Sequence, residues 1–360
     1  MRVLVDVSHP AHVHLFRHTI AELQARGHAV SVTSREKDVT VDLLDAFGVD
    51  HVSISTKRHH PVALAGEWAL REARLLVHAR RFDPDVVLSR LNPPAAHAAR
   101  LVGARSIVFD DSEPTRVASR LTHPFAHEIC TPGNYEGDLG AKQVTYEGYH
   151  ELAYLHPDRF ELDPDLLSRN GVPVDQPYYV ARFVSWSAHH DVSQAGLSPE
   201  AKRAIVSALS AHGTVYVTSE GTPPPGLAAE PIPVPPEAVH HLLAAADGYV
   251  GDSQTMATEA AVLGTPAVRS NSFVGGADMS NFVELEATYG LLRSVADEDA
   301  ALDAVQEVLT EPSATETWAR RREALLADKI DVTDFILERV LAADTDESSA
   351  TTSVTPHANV

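Results

Sequence analysis

The chain has 360 residues, too many for one ordinary core, and two domains of roughly 150 residues each are expected. Its net charge of −21 argues against a nucleic-acid partner, because phosphate backbones require a basic surface and the sequence does not concentrate Lys or Arg in one. Only five of the 29 basic residues are lysine. This acidic, lysine-poor composition is typical of proteins adapted to high salt, where screening reduces self-repulsion.

The single cysteine, Cys130, excludes an internal disulfide and a cysteine-based metal cage. No apolar run reaches the roughly 18 residues of a membrane span, and the N-terminus lacks a basic segment followed by a signal-type apolar core. The sequence therefore predicts a soluble, cytoplasmic protein.

The first residues predict a βαβ unit. "RVLVDV" (2–7) is a β-branched strand, and the following segment has Phe16, Ile20 and Leu23 at helical spacing before Gly27, which is placed to end the helix. The segment "HAVSVTS" is then a second strand. A βαβ unit implies a parallel sheet with a right-handed crossover.

The same alternation continues along the chain. "PDVVLSR" (84–90), an alanine-rich helix, "RSIVFDD" (105–111) and "HEICTP" extend the first series, so residues 1–155 are predicted to form one doubly wound α/β domain. The Pro-, Gly- and Asp-rich segment 156–177 is typical of a linker.

A second alternating series begins at "YYVARFVSW" and runs through "TVYVTSE" to "DGYVGDSQTMATEAAVLGTPAV". It predicts a second doubly wound domain over residues 178–314. One long helix is predicted over 315–342, and the polar segment 343–360 is predicted to be a disordered tail.

The stretch "VGDSQTMATEAAVLGTPAV" (250–268) contains the strongest candidate site. A strand ends there as a helix begins, and the N–H groups and positive dipole at a helix N-terminus suit phosphate. Ser253 and Thr255 add hydroxyl groups, while Glu259 lies one turn deeper on the same helix face, where its carboxylate can accept from a ribose diol. The alternative is that Asp252 or Ser253 only caps the helix and that Glu259 is a solvated surface residue.

The turn after the first strand, "DVSHPAHVHLF", has no G-x-G-x-x-G run, which argues against a dinucleotide-binding dehydrogenase. Instead, histidines crowd the turn. His14 and His18 have the spacing of a metal-binding pair, but no nearby carboxylate completes a ligand set. His9 or His12 is either an ordinary loop residue or a polar group facing an interdomain cleft.

Two further loops follow predicted strands. "VFDDSEP" contains Asp110, Asp111 and Glu113, which either supply a general base or are solvated turn residues. "RFVSWSAHHDVS" orients an imidazole, binds a phosphate or is a simple turn. Its polar residues include Arg182, Ser185, His189, His190 and Asp191.

Four segments in order, "DVSHPAHVHLFRHTIAELQARGHAVSVTSRE", "YEGYHELAYL", "RFVSWSAHHD" and "GDSQTMATEAAVLGTPAV", resemble the family of unknown function numbered 354, found in archaea and bacteria. The resemblance covers residues 1 to about 340. It implies membership of the GT-B superfamily, with nucleotide-sugar glycosyltransferases and UDP-N-acetylglucosamine 2-epimerases. The fold implied is α/β, with two Rossmann-like doubly wound domains facing across a cleft and a C-terminal helix crossing back to the first domain.

The resemblance also suggests residue roles in the second domain. In the epimerases a strand ends in Asp-Ser-Gly-Gly, with a glutamate six residues after the serine. Asp252, Ser253 and Glu259 match this spacing, whereas Gln254 and Thr255 replace the two glycines. Ser253 and the neighbouring amides would then hold the diphosphate, and Glu259 the ribose.

In the first domain, His12 aligns with the histidine of the Gly-Gly-His loop of peptidoglycan N-acetylglucosaminyltransferases, although the glycines are missing. The epimerases place an aspartate after a strand equivalent to "DVVLSRLNPP", and this chain has Asn92 in that neighbourhood. Asp111 and His190 are the candidates to match their next acid and their second-domain histidine. The missing acid weakens the epimerase alternative.

The expected function is therefore a metal-independent GT-B glycosyltransferase that transfers a sugar from a UDP-sugar to a glycan or lipid-linked acceptor. His12 is the first candidate for the base and Asp111 the second, while Arg182 and Ser185 join the donor site. The UDP-sugar is a co-substrate, no other cofactor is expected, and a lipid-linked acceptor is compatible with peripheral membrane contact. The alternatives are a 2-epimerase and a noncatalytic nucleotide-sugar binding protein.

Overall fold

The computed structural model describes residues 1–58, 60–113, 115–184, 197–219, 224–270, 274–275, 278–310 and 313–351. The chain divides into two compact units. The N-terminal unit comprises Met1–Tyr154 and Ile330–Val360, and the C-terminal unit comprises Leu155–Lys329. Each unit contains one parallel β-sheet with helices between its strands, which confirms the predicted α/β class.

Seven strands paired in parallel form the sheet of the N-terminal unit: β1 (Arg2–Val7), β2 (Ala29–Glu36), β3 (His51–Thr56), β4 (Val86–Arg90), β5 (Arg105–Phe109), β6 (Glu128–Pro132) and β7 (Gln143–Tyr146). Their spatial order is β3-β2-β1-β4-β5-β6-β7. The chain thus builds outward from β1 on one side and returns to its other side at β4. This reversal is the switch point of a doubly wound sheet.

The helices of this part of the chain are α1 (Pro10–Ala25), α2 (Thr40–Ala46), α3 (Pro61–Phe82), α4 (Pro93–Val102), α5 (Arg116–Thr122) and α6 (Leu152–Leu155). In α1 the predicted apolar face is correct, because Phe16, Ile20 and Leu23 are all buried. Gly27 follows this helix with φ at +82°, the left-handed conformation that glycine adopts most easily.

Six strands form the parallel sheet of the C-terminal unit: β8 (Tyr178–Phe183), β9 (Thr214–Ser219), β10 (Glu230–Pro231), β11 (Gly248–Gly251), β12 (Ala267–Ser270) and β13 (Arg293–Val295). Their order is β10-β9-β8-β11-β12-β13, so the switch point lies between β8 and β11. The helices are α7 (Pro164–Arg169), α8 (Pro199–Ser210), α9 (Val239–Ala244), α10 (Gln254–Leu263), α11 (Ser280–Ala287), α12 (Glu298–Thr310) and α13 (Ala314–Asp328).

The segment predicted as one helix over 315–342 is two helices, α13 and α14 (Val332–Thr351). The chain is extended at Lys329, and the Asp331 side chain then accepts the N–H of Thr333 at 2.8 Å, which starts the new helix. Helix α14 also continues into the segment predicted to be a disordered tail.

The two C-terminal helices belong to different units. In the C-terminal unit, the indole of Trp318 on α13 donates to the carbonyl of Leu291. In the N-terminal unit, Thr333 on α14 donates to the carbonyl of Ala153, and Arg339 binds Glu128. Among the described helices, none is both long enough and apolar enough to cross a membrane.

Candidate active site

In the N-terminal unit, the turn from β1 to α1 lies at the switch point of the sheet, where open α/β sheets bind ligands. His9 caps α1, and its Nδ1 accepts the N–H of Ala11 at 3.2 Å. Nδ1 of His12 accepts the N–H of Ser8 at 3.4 Å. In a glycine-rich turn, backbone amides such as these are available to phosphate. Here imidazole rings bind two of them, which explains how the turn exists without the glycine pattern.

Desolvation favours the neutral form of both imidazoles. Burial lowers the pKa of His9 to about 3, with further lowering by Lys37 and Arg90. Burial also lowers the pKa of His12 well below its ordinary value, and Arg90 contributes. In the neutral ring of His12, Nδ1 carries the lone pair that faces Ser8, so the proton lies on Nε2. His12 is therefore a hydrogen-bond donor through Nε2.

Because the pKa of each of these histidines is lowered in the folded protein, we expect the free energy of unfolding to depend on pH. Between about pH 6.5 and pH 5, unfolded histidines bind protons that neutral histidines of the folded protein do not. Stability must then fall as the pH falls, by up to about 1.4 kcal/mol per pH unit for each such residue. His9→Asn keeps a capping side chain and removes one of these protons, so we expect a shallower fall, measured by urea unfolding at stepped pH. An unchanged slope in this variant would contradict the assignment of a neutral His9.

The two aspartates after β5 have different surroundings. Asp110 is fully buried and accepts from the amide of Ser112 at 3.0 Å, while its other oxygen lies 2.9 Å from Nε2 of His123. Asp111 is 18% exposed. It binds Arg90, and its Oδ2 lies 2.8 Å from Nδ1 of His150. Of the two, Asp111 is thus the carboxylate that an incoming ligand can reach.

Asn92, at the start of α4, is buried and donates its side-chain amide to Asp6. Asp6 also accepts two bonds of 2.7 Å from Arg71 and one of 2.6 Å from Thr33. An aspartate at position 92 would set a second carboxylate against Asp6, which like-charge repulsion opposes. The asparagine is therefore part of the hydrogen-bonded support of β1 and β4.

His14, one of the two histidines considered as metal ligands, packs against aromatic rings. His14 is buried, and its ring stacks on Tyr154 with centroids 5.1 Å apart. The edge of the same ring meets Phe47. The surroundings of His14 are therefore those of a core residue.

In the C-terminal unit, the switch point is formed by the ends of β8 and β11. The carboxylate of Asp252 accepts the N–H of Val184 at 2.6 Å and so joins these strand ends. A Cβ at Gly251 would lie 2.3 Å from the carbonyl oxygen of Arg182, so the close approach of the strands requires glycine. Arg182 donates to the hydroxyl of Thr218 on β9 at 2.8 Å.

Helix α10 starts directly after Asp252. Ser253 is its N-cap, and the hydroxyl oxygen accepts the N–H of Met256 at 3.5 Å. Ser253, Gln254 and Thr255 are all partly exposed, and the first amides of a helix have no partner within it. This is the arrangement expected of an anion site. The same serine also caps the helix, which is the role proposed as the alternative.

Glu259 is 5% exposed and His240 is 2% exposed. Nε2 of His240 lies 3.0 Å from Oε1 of Glu259, so the carboxylate is held on the second turn of α10 by a residue of α9. The predicted residues Asp252, Ser253, Gln254, Thr255 and Glu259 are therefore consecutive parts of one strand-to-helix turn. Ser185 and His190 lie outside the described residues.

Sequence reasoning missed three residues of these sites. Arg90 ends β4, and the rule that ligands meet the carboxyl ends of strands would have found it. His150 lies in "YEGYHELAYL", but no spacing links it to Asp111; burial and Arg90 lower its pKa well below the ordinary value. No pattern in the sequence indicated a role for His240.

Two doubly wound parallel sheets in tandem, each with polar residues gathered at its switch point, define a protein of the GT-B fold. The chain belongs to the family described as Protein of unknown function (DUF354), whose model matches residues 1–191. The family and the fold predicted from the sequence are thereby confirmed. No curated protein sequence matches the chain significantly.

Solved structures share the fold at low sequence identity. A candidate UDP-N-acetylglucosamine 2-epimerase from Listeria monocytogenes is 12% identical, with a TM-score of 0.69 over 100% of this chain and 99% of that one. The UDP-GlcNAc 2-epimerase from Neisseria meningitidis bound to UDP-GlcNAc is 14% identical, with a TM-score of 0.66 over 95% and 100%. The glycosyltransferase VinC in complex with dTDP is 15% identical, with a TM-score of 0.60 over 96% and 100%.

Proposed function

We propose that this protein is a nucleotide-sugar enzyme that transfers a sugar from a UDP-sugar to a hydroxyl of a glycan or glycolipid acceptor in surface glycan assembly. Structures of the same fold hold UDP-GlcNAc or dTDP, which supports a nucleotide-sugar donor. The observation that carries the proposal is the turn from β11 to α10, where a partly exposed helix N-terminus precedes the buried carboxylate of Glu259.

The donor is assigned to the C-terminal unit. The diphosphate binds the first amides of α10 and the hydroxyl groups of Ser253 and Thr255, because helix N-termini favour anions. Arg182, at the end of β8, adds positive charge that offsets the charge developing on the leaving diphosphate. Glu259 accepts from the ribose hydroxyls, and His240 orients its carboxylate.

Glu259→Ala tests this assignment. We expect it to weaken UDP binding by about 1–3 kcal/mol, the cost of leaving hydrogen-bonding groups unpaired. The loss should be smaller for 2′-deoxy-UDP, which lacks one ribose hydroxyl. Calorimetric titration of both nucleotides with both proteins gives the four affinities of a double-mutant cycle.

The matched control is Glu284→Ala in the same unit. It removes a carboxylate that lies 2.8 Å from Nζ of Lys329, so it also breaks an ion pair, but one away from β11. Equal losses of UDP affinity in the two variants would show that Glu259 acts only through stability. Equal losses for UDP and 2′-deoxy-UDP in Glu259→Ala would remove the 2′-hydroxyl from the proposal.

Transfer is favoured over epimerisation by the residues at the end of β4. By the resemblance, the epimerases carry an acid in the neighbourhood of Asn92, and the amide of Asn92 donates to Asp6. A group that supplies or removes a proton is therefore missing at that position. A transferase needs only one base and a stabilised leaving group.

In the N-terminal unit we assign the base to Asp111 and a donor role to His12. The sequence ranked them in the opposite order, but the amide of Ser8 occupies Nδ1 of His12. In the proposed reaction, Asp111 takes the proton of the acceptor hydroxyl, and the acceptor oxygen bonds to the anomeric carbon of the sugar. The bond between that carbon and the diphosphate breaks, and its electron pair leaves on the diphosphate. Nε2–H of His12 stabilises negative charge during this transfer.

Incubation with labelled UDP-N-acetylglucosamine, with and without the glycolipid fraction of the source cells, tests the reaction. Transfer releases UDP only when acceptor is present. An epimerase changes the sugar on an intact nucleotide without acceptor, and a noncatalytic binding protein binds UDP but turns over nothing. Either of the last two results would overturn the proposed reaction.

A further inference from the structure

The carboxyl ends of β2 and β3 border a cavity of about 360 Å³ that the proposed reaction does not use. Lys37 follows β2 and Lys57 follows β3, and the N–H of Lys57 donates to the carbonyl of Glu36 at 2.9 Å. Because β2 is next to β1, the cavity opens at the same edge of the sheet as His9. Its lining residues are Glu36, Lys37, Asp38, Val41 and Lys57.

Lysines are concentrated at this edge. The whole chain has five lysines and a net charge of −21, yet two of the five line this one cavity. An ammonium group is a compact charge with three donors that binds phosphate oxygens well. Two of them beside a strand-end cavity are an unusual feature in so acidic a protein.

The acids of the cavity have partners within the protein. The two carboxylate oxygens of Glu36 accept from the hydroxyls of Ser53 at 2.9 Å and Thr56 at 2.7 Å. Asp38 is more than half exposed, and its carboxylate lies 3.7 Å from Nζ of Lys37, a long and solvent-screened pair. The lining thus carries two ammonium groups and two carboxylates, and both carboxylates already have partners within the protein.

The charged groups that act on His9 include both lysines of the cavity. Those that shift its pKa most belong to Lys37, Arg90, Lys57 and Arg35, and all of them lower it. The charged groups that act most strongly on His9 are thus cations, although the chain as a whole is strongly acidic.

We propose that Lys37 and Lys57 bind a phosphoryl group, and that this group belongs to the acceptor. The assignment to the acceptor rests on the proposed transferase function; the phosphoryl site itself does not. The shared chemistry is a phosphate monoester or diphosphate, whether carried by a lipid or by a soluble sugar phosphate.

Binding of two probes to the full chain, saturated with UDP so that the donor site is filled, tests the site. The probes are geranyl phosphate and glucose 1-phosphate, titrated at constant ionic strength because such contacts are screened by salt. We expect Lys57→Gln to weaken binding of the preferred probe about tenfold, as expected for loss of a charge-assisted hydrogen bond, and Lys37→Gln/Lys57→Gln to weaken it further. Lys202→Gln, which makes the same charge change on α8 of the C-terminal unit, is the control.

The binding results test the phosphoryl site and the source of its ligand separately. Preference for geranyl phosphate identifies a lipid-linked source, and preference for glucose 1-phosphate a soluble one. The site is overturned if neither probe binds, if the double variant binds as tightly as the parent chain, or if Lys202→Gln has an equal effect. Failure of the donor assignment would appear separately, as an absence of UDP binding in the unmodified chain.

Discussion

Replacing Asp111 by asparagine is expected to reduce sugar transfer by about 10²- to 10⁴-fold, the usual contribution of a positioned general base, while the affinity for UDP stays unchanged. Asparagine keeps the shape of the side chain and still accepts from Arg90, but it cannot take a proton. The measurement is UDP release from the UDP-sugar in the presence of the acceptor fraction, with UDP affinity determined in parallel.

Glu113→Gln is the matched control, because Glu113 lies in the same loop and accepts the N–H of Glu136 at 3.1 Å. It should leave transfer unchanged. His12→Gln provides the contrasting result, since an amide can still donate a hydrogen bond. If His12→Gln abolished transfer while Asp111→Asn retained it, His12 would be the base and the assignment made here would be wrong.

Replacing Arg71 by methionine is expected to lower the free energy of unfolding of the N-terminal unit by about 3–5 kcal/mol, because it leaves a buried charge without its partner. Both side chains of the Asp6–Arg71 pair are 0% exposed, with a contact of 2.7 Å. Urea unfolding, combined with hydrogen exchange of the β1 and β4 amides, measures the loss in this unit.

Arg74→Met on the same helix is the control, because Arg74 donates to a backbone carbonyl, that of Ile54 at 3.0 Å, and we expect a loss of about 1 kcal/mol. Replacing both partners, Asp6→Leu with Arg71→Met, should recover much of the loss, since no buried charge then remains. A loss in Arg71→Met no larger than in Arg74→Met would contradict the structural role of this pair.

The strand and helix order near the two switch points could be predicted from the sequence because local patterns determine it. β1 is rich in valine and leucine, α1 has a buried face at helical spacing, and Ser253 begins a helix directly after a strand. Other elements lack such signals. The edge strand β3, "HVSIST", has four polar side chains and exposed positions, and no glycine or proline marks the break between α13 and α14.

The contacts that assemble the sites could not be predicted, because they join residues far apart in the chain. His240 and Glu259 are 19 residues apart, and Asp6 and Arg71 are 65 apart. Sequence spacing places Glu259 correctly on the second turn of α10 but does not show that a histidine from α9 holds its carboxylate. Likewise, the hydrogen bond from Ser8 to His12, which fixes the donor role of that imidazole, depends on side-chain geometry.

We propose that the C-terminal unit binds a uridine nucleotide at the start of α10. The most direct test of this proposal is calorimetric titration of the purified full chain, in concentrated KCl, with UDP, UDP-N-acetylglucosamine and a nucleoside diphosphate of another base. We predict saturable binding of UDP and of the UDP-sugar, and weaker binding of the other nucleotide. Absence of binding by all three ligands would contradict the nucleotide-sugar function and leave only the GT-B fold established.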